Sequence, residues 1–75
     1  MSIQVKFFAS LREQVGLSDT EINAADTVSD AWLQATNQQD LPERILVAVN
    51  LDYATLDTPI KDGDEVAFFP PVTGG

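Results

Sequence analysis

The chain has neither cysteine nor histidine. Without cysteine there is no disulfide framework, no thiolate nucleophile and no thiolate metal site. Without histidine the usual general base near neutral pH and a common zinc ligand are missing as well. Self-contained catalysis is therefore not expected, and neither a stably bound cofactor nor a metal site is expected. Basic residues are scarce too: four Lys and Arg stand against twelve Asp and Glu, for a net charge of −8. That balance repels nucleic acid and anionic membrane surfaces and favours a protein partner with a basic face. No stretch approaches the roughly 20 apolar residues of a membrane span. Met1-Ser2-Ile3-Gln4-Val5-Lys6 leads straight into a strand pattern without a signal-peptide core, so the expected compartment is the cytoplasm.

What is present suffices for one small core. Seventy-five residues allow a single domain, and 44% of them are hydrophobic, enough to fold. Ile3, Val5 and Phe7 alternate with Gln4, Lys6 and Phe8, the pattern of a half-buried strand. Ser10 with Glu13 reads as a capping box opening a short helix that Gly16 stops, and Leu17 to Ile22 reads as a second, weaker strand. Thr27 is the expected cap of the main helix, with Asp30 in its first turn and Val28, Ala31, Trp32 and Ala35 on one stripe facing a sheet. Asn37 to Pro42 is a loop. Ile45 to Asn50 is a nearly continuous apolar run, expected to be covered over most of its width. A turn near Asn50-Leu51-Asp52 leads to a short edge strand at Tyr53-Ala54, and Thr58-Pro59 ends pairing. Asp62-Gly63 makes a tight turn before a last strand over Glu65 to Phe69, with Val66 and Phe68 in phase. Lys61, Asp62 and Asp64 are expected as a solvated charged turn, and the other acidic residues as solvated surface.

This order of elements predicts an α+β roll, the ubiquitin-like β-grasp: a mixed sheet packed on one main helix, with the first and last strands parallel at its centre. A domain over 1–69 is followed by an extended tail over 70–75. Pro70 and Pro71 cannot donate ladder hydrogen bonds, so the sheet ends before them and the chain leaves as a stiff spacer. Gly74 and Gly75 carry no Cβ, so the end is thin enough to thread a narrow channel and present a carboxylate to another protein's active site. A carboxylate is a poor electrophile with no good leaving group, and attachment to AMP would supply one. A persulfide nucleophile would then displace AMP and leave a terminal thiocarboxylate. Side-chain parity adds a docking face. Phe8 lies in phase with Gln4 and Lys6, and Phe69 with Glu65 and Ala67, so both rings point away from the helix-covered core and form one apolar patch beside the tail.

Val5-Lys6-Phe7-Phe8-Ala9, Val47-Ala48-Val49-Asn50, Asp62 to Phe69 and Pro70-Pro71-Val72-Thr73-Gly74-Gly75 resemble the small subunits of molybdopterin synthase, most specifically in the last fourteen residues. The resemblance implies a sulfur carrier. Gly75, with Gly74 before it, would be adenylated by an ATP-dependent activating enzyme that consumes the ATP, and then converted to the thiocarboxylate. The tail would insert into the large synthase subunit, in a heterotetramer of two small and two large subunits, and supply sulfur for the dithiolene of molybdopterin made from precursor Z (cyclic pyranopterin monophosphate). Phe8, Phe69, Pro70, Pro71, Val72 and Thr73 are the expected partner-binding residues. Three alternatives stand beside this: a thiamine-pathway sulfur carrier, against which Pro-Pro-Val-Thr argues, a ubiquitin-like modifier of protein lysines, and a non-enzymatic interaction module.

Overall fold

Two strands from opposite ends of the sequence lie side by side in the middle of the sheet. The computed structural model describes residues 2–42 and 44–71. Strand β1 (Ile3–Phe7) runs parallel to β5 (Glu65–Phe69), with Val5 opposite Val66 and Phe7 opposite Phe68. Antiparallel to them are β2 (Asp19–Ile22) on β1 and β3 (Leu46–Val49) on β5, and β4 (Asp52–Ala54) pairs with β3. The order is β2-β1-β5-β3-β4, the β-grasp arrangement expected from the element order.

Helix α2 (Val28–Ala35) covers one face of this sheet. Thr27 caps it through Oγ1, which accepts from Asp30 N at 3.4 Å. Val28, Ala31 and Trp32 are buried, as the stripe predicts. Trp32 is the centre of the core. Its ring meets Phe7 and Phe68 edge-on, with centroids at 5.7 and 5.1 Å, while Phe7 and Phe68 stack at 5.8 Å. Full burial of side chains of this size stabilises by about 1.5–3 kcal/mol each. The one polar group brought in, Trp32 Nε1, donates to Gln39 O at 3.0 Å, so the loop after α2 supplies the partner that a buried indole requires.

Three expectations are corrected. The capping box of Ser10 and Glu13 does not form: the N-cap position of α1 (Ser10–Val15) falls on Ala9, and no side chain caps the helix. The chain reverses straight out of β1, leaving no extended residue for Ser10 to occupy, and the N–H groups of Leu11 and Arg12 donate to the carbonyls of Phe8 and Ala9 instead. Gly16 does close this helix, at φ 87. Strand β3 is covered on one side only: Val47 is buried, but Leu46 and Ala48 belong to a face that no helix covers. Pairing does not stop at Thr58-Pro59 either, since Pro59 bridges Thr27 and ties the long connection to the start of α2.

Candidate functional site

The face of the sheet opposite α2 carries a concavity of about 390 Å³. Its floor is low because small residues face each other there, Ala48 on β3 opposite Ala67 on β5. Its apolar lining comes from Phe8, Leu51, Tyr53 and Phe69. Phe8 N donates to Phe68 O at 3.0 Å, so the β1–β5 ladder runs one residue past β1 and turns Phe8 to the side opposite Phe7. Phe69 follows Phe68 and alternates with it, and its ring lies 6.2 Å from that of Tyr53. Exposure on this face is high for such residues: 46% for Phe8, 81% for Tyr53 and 88% for Leu51. Lys6 Nζ and Glu65 Oε1 form an ion pair of 3.3 Å at the rim, worth at most about 1 kcal/mol in a solvated setting.

The parity argument thus places Phe8 and Phe69 where the structure has them. It did not reach Leu51 and Tyr53. Their position depends on the β3–β4 hairpin, which sets Tyr53 opposite Ala48 and on the same face. The connection is two residues long, Asn50 and Leu51, at φ 52 and 73. Positive φ at both central positions is the type I′ hairpin geometry, which usually selects Asn-Gly. The signal available in the sequence was the outward parity of Ala48 combined with that two-residue loop.

Asn50 anchors this turn to the neighbouring one. Its Nδ2 donates to Asp64 Oδ1 at 3.0 Å, its Oδ1 accepts from Glu65 N at 2.9 Å, and its N donates to Glu65 O at 2.8 Å. Asp64 Oδ2 accepts from Lys61 N at 2.9 Å, and Lys61 Nζ lies 3.6 Å from Oδ1. Asp64 is therefore not part of a solvated turn as expected: it is 7% exposed. The Asn50 hydrogen bond, with that of the Lys61 N–H behind it, holds its carboxyl below the ordinary value of 3.8. Lys61 and Asp62 are exposed, as expected.

Strand β5 ends at Phe69, beside the concavity, and the half-buried Pro70 and Pro71 carry the chain away from the sheet. Val72, Thr73, Gly74 and Gly75 lie outside the described residues. Among the described residues no group of three or more Asp and Glu side chains is arranged to hold a metal ion. Among them, too, no helix is long and apolar enough to cross a membrane.

Set beside known proteins, residues 5–75 match the ThiS family. The molybdopterin synthase sulfur carrier subunit of Escherichia coli (strain K12) is 47% identical over 85 residues, an alignment covering 97% of this chain and 99% of that one. Among solved structures, Haloferax volcanii small archaeal modifier protein 1 superposes with a TM-score of 0.76 at 30% identity, over 95% of this chain and 98% of its own. A chain from the complex of subunits 1 and 2 of the molybdopterin-converting factor of Helicobacter pylori 26695 superposes with a TM-score of 0.66 at 28% identity, over the whole of both chains.

Proposed function

This chain belongs to the ThiS family, and on that premise we propose that it is the sulfur-carrier small subunit of a molybdopterin synthase. The observation that carries the reading is the 47% identity with the Escherichia coli sulfur carrier subunit along almost the whole of both chains. The geometry supports it. A carrier needs a face by which its partner holds it and a strand end that delivers the reactive group past that face, and β5 supplies both through Phe69 and the Pro70-Pro71 spacer.

The chemistry resides in the carboxyl of Gly75. On an ATP-dependent activating enzyme the carboxylate attacks the α-phosphate of ATP and releases pyrophosphate; a persulfide sulfur displaces the AMP to give an acyl disulfide, a second thiol of the sulfur-transferring protein cleaves that S–S bond and leaves as a disulfide, and the freed thiocarboxylate donates its sulfur to precursor Z as the dithiolene forms. Beyond that terminal group the chain contributes no base, side-chain nucleophile or bound cofactor to these steps. It is the sulfur-donating subunit of a sulfurtransferase-type synthase and has no catalytic activity alone. Its partners are the large synthase subunit, in an assembly of two small and two large subunits, and the activating enzyme. All of this takes place in the cytoplasm. Phe8 and Phe69 serve docking, Pro70, Pro71, Val72 and Thr73 bind the partner along the base of the tail, and Gly74 and Gly75 pass where side chains do not fit.

Intact mass tests the reading. Incubation with the activating enzyme, ATP and a sulfur donor exchanges one oxygen of the Gly75 carboxyl for sulfur, and an unchanged mass with demonstrably active enzyme sinks it. The Haloferax volcanii modifier, at 30% identity, favours a second reading in which Gly75 is joined to lysines of other proteins. Adducts bearing a Gly-Gly remnant on lysine, recovered from cells expressing the chain, would establish that reading.

A further inference from the structure

The tip of the β3–β4 hairpin breaks two local rules at once. Leu51 is a large apolar residue left 88% exposed, and it holds a left-handed backbone at φ 73 where glycine is the favoured residue. Neither feature helps the fold: the side chain adds nothing to the core, and the backbone conformation is one that residues with a Cβ adopt at a cost. Yet the turn is fixed in place. Asn50 beside it is held by both ends of its side-chain amide, to Asp64 Oδ1 and Glu65 N, and by its own N–H to Glu65 O. A strained, exposed and rigidly mounted side chain at the lip of a groove is the arrangement from which a binding role follows.

We infer that Leu51 is a specificity-determining anchor for the large synthase subunit, seating in an apolar pocket on that partner at the β3–β4 hairpin end of the groove. This rests on the sulfur-carrier reading above. The occupant follows from continuity: Leu51 lines the same concavity as Phe8 and Phe69, at the end where β5 begins, so a partner that fills the concavity from the exit of β5 reaches Leu51. A relative at 28% identity is found in complex with a second subunit. The aliphatic tip, carried on a two-residue turn, extends the reach of the face beyond the sheet, and its mounting on the Asn50–Asp64 clamp keeps the entropy lost on docking small.

Leu51→Gly separates binding from structure, because glycine keeps the turn while removing the anchor. Calorimetric titration against the purified large subunit, with thermal unfolding of the free chain, should give an affinity about tenfold weaker and a Tm unchanged or raised. Leu51→Met should retain the affinity. Phe8→Ala runs in parallel as a control on the docking face. Wild-type affinity for Leu51→Gly while Phe8→Ala is weakened would overturn the role of Leu51 and leave the face standing. Wild-type affinity in both variants would remove the face and the anchor together, and a lowered Tm for Leu51→Gly would show that the residue serves the turn and not the partner.

Discussion

Phe68 and Phe69 are adjacent and identical, yet truncating each should have opposite consequences. Phe68 is fully buried, stacked on Phe7 and edge-on to Trp32. Its replacement by alanine removes a large side chain from close packing, at about 3–5 kcal/mol. A chain of 75 residues has a total stability of only about 4–11 kcal/mol. Because each kcal/mol moves the Tm of a domain this size by roughly 4–8 °C, Phe68→Ala should lower it by more than about 12 °C or leave no folded protein. Phe69 points the other way, and its aromatic neighbour is Tyr53 at 6.2 Å, a contact worth about 0.5–1.5 kcal/mol. The Tm of Phe69→Ala should therefore move by less than that of Phe68→Ala. Affinity for the large subunit should instead fall by about 2 kcal/mol or more, roughly thirtyfold. Circular dichroism on heating and calorimetric titration read the two quantities separately. If Phe69→Ala melts as low as Phe68→Ala while its folded fraction still binds normally, the faces of β5 are assigned wrongly and the docking argument falls with them.

Three further outcomes are expected. Gly74→Val leaves the Tm unchanged, since the residue lies beyond the last strand, but lowers adenylation or sulfur transfer by about a hundredfold through a misplacement of about 1 Å at the reacting carboxyl; an unimpaired rate would mean that the tail enters no narrow channel. Ala9→Gly raises stability: φ 53 with ψ −131 lies outside even the left-handed helical region and costs an L-residue about 1–3 kcal/mol, glycine's chain entropy returns somewhat less than 1 kcal/mol of that, and a lowered Tm would contradict the strain. Because the folded-state pKa of Asp64 lies below its ordinary 3.8, its contribution is complete above that value and is lost as pH falls through the folded-state pKa. Acid unfolding of Asp64→Asn should accordingly lack this component of the wild-type transition, and identical pH profiles would refute the clamp.

What the sequence disclosed followed from short-range periodicity. The alternation of Ile3, Val5 and Phe7 and the stripe of Val28, Ala31 and Trp32 gave the core directly. The parity of Phe8 and Phe69 located half of the candidate docking face, because a strand's two sides are distinguishable from its residues alone. The other half was out of reach for a physical reason. Leu51 and Tyr53 join the face only once a hairpin sets β4 beside β3, and Asp64 is buried only because Asn50, fourteen positions earlier, returns to meet it. Such contacts leave no periodic trace. Ser10 failed as a cap because the direction in which the chain leaves β1 outranks the local preference of a serine.

The parallel pairing of β1 with β5 makes the groove and the core depend on the same strand. The strand that ends beside the tail is also the one against which β1 and β3 assemble, and it brings Glu65, Ala67 and Phe69 to the groove. A chain in which β5 has not yet docked has neither a completed core nor a completed recognition face. Pairing the first strand with the last closes the longest loop in the sheet, and such non-local pairings slow folding, so the proposed docking groove is complete only once β5 has docked. If the proposed partner docks on that groove, its recognition would at the same time test that the carrier has finished folding, and an unfolded chain bearing the same glycines would pass unselected.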